Sequence, residues 1–202
     1  MAGARAATIR PMVDPLPATI RPMLARAGPL PATDGTHGYE VKWDGVRAIA
    51  SVRGGELRLR ARTGAEVTAR YPELAPVPPG ARAGELVLDG EVVAFDEHGH
   101  PSFERLQSRM HLASAAAVAR RLRDRPVTYV VFDLLHAGGR SLLSLAYRER
   151  RALLAQLELE LEGPAWRVPA HRERDGAALL AATAEQGLEG VVAKRLASPY
   201  EP

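Results

Sequence analysis

The 202-residue sequence contains no cysteine, which excludes disulfides, thiolate metal sites and cysteine nucleophiles. It has no run of 18 or more apolar residues and no basic-then-apolar start, so neither a membrane span nor a secretion signal is expected. A G-x-x-x-x-G-K-[ST] loop is also missing, which excludes a P-loop ATPase. Lysine is nearly missing too. Of 27 basic residues only Lys42 and Lys194 are lysine, and the other 25 are arginine. Arginine stays charged under ordinary conditions, whereas lysine can shed its proton and act as a nucleophile. A chain that uses arginine almost everywhere and lysine at two positions makes those two the first candidates for chemistry.

With 46% hydrophobic residues the chain can fill the core of one medium domain, and its net charge of +3 argues only weakly for a polyanionic partner. Residues 1–38 are rich in proline, alanine and glycine, and Ile9-Arg10-Pro11-Met12 is echoed by Ile20-Arg21-Pro22-Met23. Residues 1–18 read as a flexible leader and 19–38 as an extended segment laid over the domain. From Tyr39 the period changes to two. Strands are predicted over Tyr39–Asp44, Ala48–Arg53, Glu56–Ala61, Glu85–Phe95, Val127–Leu135 and Gly190–Arg195, with Gly54-Gly55 as a hairpin turn. Helices are predicted over Phe103–His111, after a Ser114 cap and before Pro126, over Leu145–Glu158, and between Asp175 and Gly187. Hairpins first and mixed elements later give an α+β class.

Four segments carry the chemistry. In Glu40-Val41-Lys42-Trp43-Asp44-Gly45-Val46-Arg47 an unbroken strand would put Glu40, Lys42 and Asp44 on one face. Gly45 would end the strand and let backbone approach a ligand, and Arg47 would add a positive fork for phosphate. Asp89-Gly90-Glu91 embeds acids in an apolar strand, and Phe132-Asp133 sets an aromatic ring beside another. Glu189-Gly190-Val191-Val192-Ala193-Lys194 joins an acid to the second lysine. On a plain strand Lys194 has the parity of Gly190, opposite to Glu189. Either the strand begins after Glu189, or one of the two does not line the pocket. The first is adopted here, with Lys194 facing phosphate.

The order K-x-D-G-x-R, D-G-E, F-D, E-G-V-V-A-K resembles the covalent nucleotidyltransferase superfamily of DNA ligases, RNA ligases and messenger-RNA capping enzymes. Arg60-Ala61-Arg62-Thr63-Gly64 before Tyr71-Pro72-Glu73-Leu74, Lys194-Arg195 before Ser198-Pro199-Tyr200, and Pro22-Met23-Leu24-Ala25 are most similar to bacterial ATP-dependent DNA ligases, including the ligase domain of end-joining enzymes. The resemblance implies an ATP-grasp-like nucleotidyltransferase domain over 19–202, built of antiparallel and mixed sheets with flanking helices. It implies that Lys42 attacks the α-phosphate of ATP and carries AMP, with Asp44 orienting it. Arg47 and Arg62 would grip sugar or phosphate, Glu91 the ribose hydroxyl, Phe132 the adenine face, and Glu40 the adenine edge. Glu189 and Glu91 would hold Mg2+ or Mn2+. It further implies a monomer in the bacterial cytoplasm, associated with the nucleoid and free of membrane, acting on nicked or broken duplex DNA with end-joining repair proteins. The alternatives are a nucleotide- or nick-binding remnant without turnover, and an RNA ligase or capping-type enzyme.

Two other patterns are read as surface. His98-Gly99-His100 falls in a polar turn, and Arg120, Arg121, Arg123 and Arg125 form a solvated helix end. Members of the superfamily continue past Ser-x-Tyr-x-Pro into a strand with paired lysines and then an OB-fold domain. The sequence stops at Pro202, before both, so residues 1–202 by themselves are expected to self-adenylate slowly or undetectably and to seal no nicks.

Overall fold

Gly54 and Gly55 turn the chain with positive φ of 56° and 82°, joining β2 (Val46–Arg53) to β3 (Glu56–Ala61) as an antiparallel hairpin. The computed structural model describes residues 20–32, 35–82, 84–112 and 114–202, so the leader expected over 1–18 lies outside the described residues. On the other side of β2 lies β4 (Glu85–Ala94), and β5 (Val127–Ala137) pairs antiparallel with β4. Two short strands, β6 (Arg140–Ser141) and β7 (Trp166–Arg167), complete the sheet along β5, the latter in parallel. A separate ribbon pairs β1 (His37–Val41) with β8 (Val191–Arg195). The α+β class expected from the sequence is the one observed.

Alternation along the strands divides the large sheet into two faces. One carries Ala48, Ala50, Val52, Leu59, Leu88 and Val92 into the main core with Tyr71, Tyr129 and Trp166. The opposite face carries Ile49 and Val87 into a smaller cluster with Ile20, Leu135 and Tyr200. Arg47 faces Glu91 across the β2–β4 pair and Ile49 faces Asp89, so Arg47, Asp89 and Glu91 share that second face.

The short α1 (Pro79–Arg82) and the helices that follow it place Ala81, Leu106 and Leu154 in the main core. The helix α2 (Phe103–Met110) is capped by Ser102, whose Oγ accepts from the Arg105 amide at 3.4 Å, and α3 (Ala115–Leu122) by Ser114 at 3.2 Å. On α2, Leu106 is buried and Phe103 is exposed. The expected helix over Leu145–Glu158 starts later, at Tyr147, runs to Gln156 as α4, and is followed by the single turn Glu158–Leu161. Asp175 precedes α5 (Gly176–Glu185) with φ 59° and makes no side-chain cap. Asp96 accepts the amides of His98 and His100 at 2.9 and 2.8 Å, which makes the histidine pair part of a polar turn. Among the described residues no helix is long and apolar enough to cross a membrane.

One expectation fails. The first strand ends at Val41 rather than Asp44, so Glu40, Lys42 and Asp44 do not share a strand face. The reason is topological: β1 belongs to the ribbon and β2 to the large sheet, so residues 42–45 must cross between them. The Lys42 amide still bonds the Gly190 carbonyl at 2.8 Å, one residue beyond the ladder. At the far side of the crossing Gly45 passes so close to the Val92 carbonyl and the Glu91 side chain that no Cβ fits. The backbone approach made by Gly45 is thus to β4.

A second close approach sets the register of β4 on β5. Gly90 pairs with Val131 and Asp89 with Asp133, so Phe132 is an extra residue at a bulge. A Cβ on Gly90 would lie 2.5 Å from the Val130 carbonyl and 2.7 Å from the Tyr129 ring. We expect Gly90→Ala to lose about 1–3 kcal/mol of stability, read from urea unfolding. Gly28→Ala, where a Cβ meets nothing within 4 Å, is the control and should be neutral. Equal stability of the two variants would contradict the close packing at the bulge.

Candidate active site

Where the ribbon meets the second face of the large sheet there is a cleft of about 890 Å3. Seven of the sequence candidates line it: Glu40, Lys42, Arg47, Arg62, Glu91, Phe132 and Lys194. Asp44 and Glu189 are not part of its wall. Glu189 precedes β8, and its carboxylate accepts from Lys42 Nζ. The strand begins at Val191, after Glu189; Lys194 lines the cleft, whereas Glu189 stands outside its wall and meets it through Lys42.

The two lysines differ in environment. The Lys42 side chain is 44% exposed, with Glu189 as its ionic partner. Lys194 is 20% exposed, lies 2.6 Å from Glu40, and sits 4.5 Å from the centre of the Phe132 ring and 5.0 Å from that of Tyr147. Glu40 is buried and also accepts from the Tyr147 hydroxyl at 2.5 Å. The Glu40 carboxylate is therefore engaged by its own chain on two sides.

Phe132 reaches the cleft because of the bulge. The extra residue lets Phe132 and Asp133 both approach this face, where simple alternation would send one to each side. Arg47 stacks on the same ring at 4.4 Å. Its fork is occupied by Asp89, with Nε to Oδ1 at 2.6 Å and Nη2 to Oδ2 at 2.7 Å. The Arg47 fork expected to be open toward phosphate is in this sense partly engaged, because a fully buried carboxylate needs a cation.

Sequence reasoning assigned no role to the groups that hold this arrangement. Asp133 is buried and takes Nε and Nη2 of Arg150 at 2.8 and 3.0 Å. Arg150, on α4, also donates to the Leu145 carbonyl at 2.6 Å. Tyr200 donates to Asp89 at 2.6 Å and accepts from the Met23 amide at 2.9 Å. One signal was present. Tyr147, Arg150, Arg151 and Leu154 fall at the helical spacing of a buried stripe, and arginines on such a stripe imply acids beneath them.

Electrostatics follow from burial. Burial pushes the Glu91 carboxyl up to about 8, Arg47 and Lys42 oppose the rise, and Asp89 and Glu189 add to it. Asp44 is raised by burial and by Glu189, with Lys42 opposing. Tyr147 and Tyr200 are raised by burial and by Glu40 and Asp89 respectively, so both hydroxyls keep the protons they donate. For Arg47 the Asp89 carboxylate outweighs burial and holds the guanidinium more firmly charged than usual. Among the described residues no three or more acids or histidines stand close enough to hold a metal ion by themselves. Glu91 and Glu189 are two carboxyls that interact with each other and with Lys42.

Comparison with known proteins gives a consistent answer. The family model described as "ATP dependent DNA ligase domain" matches residues 22–202. The multifunctional non-homologous end joining protein LigD of Mycobacterium bovis is 38% identical over 184 residues, covering 91% of this chain and 22% of that protein. DNA ligase C1 of Mycolicibacterium smegmatis is 35% identical over 195 residues, covering 93% of this chain and 55% of that protein. The chain thus spans about a fifth of LigD and about half of ligase C1. A solved mycobacterial DNA ligase D complexed with ATP and MES matches with a TM-score of 0.77 and 37% identity, covering 90% of this chain and 56% of that chain. The ligase domain of Mycobacterium tuberculosis LigD matches with a TM-score of 0.76.

The raised Glu91 carboxyl has a consequence for stability. A folded value near 8 against 4.5 unfolded means that the folded chain keeps a proton the unfolded chain loses, so stability falls as pH rises between the two. Below 4.5 the group contributes nothing. Glu91→Gln removes the ionisation, so without metal or nucleotide it should melt with the parent near pH 4.5 and progressively above it toward pH 8.5. Parallel melting temperatures across that range would contradict the burial of this carboxyl.

Proposed function

The chain belongs to the ATP-dependent DNA ligase domain family, and from that premise we propose that it is the adenylating domain of a DNA ligase, with Lys42 as the covalent carrier of AMP. The observation that carries this reading is the convergence on one cleft of the exposed lysine of the pair with the arginines, acids and aromatic ring that nucleotidyl transfer requires.

Lys42 must leave its Glu189 partner and shed a proton to attack. Its Nζ then forms a bond to the α-phosphorus of ATP, the bond from that phosphorus to the bridging oxygen breaks, and pyrophosphate leaves with the electron pair. Arg62 at the cleft wall and Arg47 beside Phe132 supply positive charge to the phosphate oxygens. Glu91, protonated near neutral pH when no cation is bound, can bond a ribose hydroxyl as donor or acceptor. Phe132 offers its ring to adenine, beside Lys194 and Glu40. Asp44, two residues from Lys42, steers the amine through its charge.

Magnesium, or manganese in its stead, suits the donor set, since it prefers one or two carboxylates completed by water and phosphate oxygens. Glu189 and Glu91 would hold it, and when bound it would supply further charge to the phosphates. The acceptor is the 5′-phosphate of nicked duplex DNA, and the domain acts as a monomer in end-joining repair in the bacterial cytoplasm. The end-joining role carried in the name of its LigD relatives supports the repair part of this reading.

Incubation with ATP and magnesium should add one AMP to the intact mass. Lys42→Ala and Lys42→Arg should both abolish the gain, the second because guanidinium offers no available nucleophile. Retention of the adduct by Lys42→Arg would defeat the assignment. Phe132→Ala should weaken ATP binding by about 1–2 kcal/mol, measured by titration with circular dichroism to verify folding. Unchanged affinity in a folded variant would make Phe132 a core residue only.

A further inference from the structure

Tyr200 closes the Ser198-Pro199-Tyr200 segment that follows Lys194, and its hydroxyl stands at the junction of three parts of the site. It accepts the Met23 amide at 2.9 Å and donates to Asp89 Oδ2 at 2.6 Å. The same Asp89 oxygen takes Arg47 Nη2 at 2.7 Å, and the other takes Arg47 Nε at 2.6 Å. Arg47 in turn reaches the Met23 carbonyl at 3.5 Å and stacks on Phe132. The Tyr200 ring is held independently of the hydroxyl, in the apolar cluster of Ile20, Ile49, Val87 and Leu135.

Two consequences follow from this connectivity. Residues 20–32 have no helix or strand to fix them, and Met23, Leu24, Ala25 and Arg26 nevertheless form part of the cleft wall. Their anchors are Ile20 in the cluster and the backbone of Met23 on Tyr200 and Arg47. Leu24, 64% exposed, stands at the rim as a result. Asp89, at 0% exposure, needs all of its hydrogen-bond capacity filled in order to remain buried as an anion. Without the Tyr200 donor one Asp89 oxygen would depend on Arg47 alone, and the guanidinium would gain freedom to shift.

We propose that Tyr200 is a positioning residue for the nucleotide: its hydroxyl fixes Arg47 through Asp89 and clamps the 20–26 segment as a wall of the same cleft. The inference rests on the reading of Arg47 as a nucleotide contact. One atom thereby couples the wall to the phosphate-binding cation, so that neither is placed correctly without the other.

The test is Tyr200→Phe, which keeps the ring and removes only the hydroxyl. Amide hydrogen exchange over residues 20–26 should accelerate, while the strands of the main core keep their protection. ATP affinity, measured by titration, should fall about three- to tenfold. In an Arg47→Lys background, where the bidentate fork is already lost, the same substitution should change ATP affinity less than twofold. Unchanged exchange over 20–26 would overturn the clamp. Faster exchange with unchanged ATP affinity would overturn the positioning role. An equal loss of affinity in both backgrounds would do the same, because the effect would not pass through Arg47. If the parent protein binds no ATP, the nucleotide reading fails by itself, and the exchange measurement still decides whether Tyr200 holds the wall.

Discussion

Two carboxylates buried face to face govern the construction of this domain. Asp89 on β4 and Asp133 on β5 are directly paired across the ladder and almost wholly excluded from water. Two like charges in that position would repel each other and would each lack hydration, a penalty of several kcal/mol per ion when unpaired. The fold meets this constraint by bringing one arginine to each. Arg47 comes from β2, and Arg150 comes from α4. Each arginine then bonds backbone elsewhere, Arg47 at Met23 and Arg150 at Leu145. A strand, a helix and both ends of the described chain are thereby fixed around one pair of acids.

The cleft is what this arrangement leaves open. Its floor is the bulge that brings Phe132 and Asp133 to one side, and the bulge depends on Gly90 admitting the Tyr129 ring on the opposite face. The larger apolar core lies beneath the sheet, and the charged site lies above it beside the smaller apolar cluster. Such a division lets the core supply stability through burial while the upper face keeps polar groups that a packed interior could not tolerate.

The sequence motifs were legible because their chemistry is local. K-x-D-G-x-R, D-G-E and E-G-V-V-A-K each occupy a few consecutive residues, and seven of the nine residues drawn from the motifs line one cleft. The hairpin at Gly54-Gly55 and the serine-capped helices were legible for the same reason. What escaped the sequence depends on partners far along the chain. The end of β1 at Val41 follows from its pairing with β8, some 150 residues away, while β2 joins another sheet. The bulge at Phe132 is a relation between two strands and leaves no periodicity of its own. Tyr147 and Tyr200 look like core aromatics until their hydroxyls are seen to meet Glu40 and Asp89.

The geometry also separates the two lysines that the sequence alone could rank only by motif. Lys194 is enclosed by Glu40, Phe132 and Tyr147, whereas Lys42 stands at the cleft with a single ionic partner and wide exposure. The central claim is that this difference makes Lys42 the carrier of the nucleotide. Peptide mapping by fragmentation mass spectrometry, after incubation with ATP and a divalent cation, tests it most directly. The account predicts AMP on the peptide containing Lys42 and none on the peptide containing Lys194; modification of Lys194, with Lys42 unmodified, would contradict it.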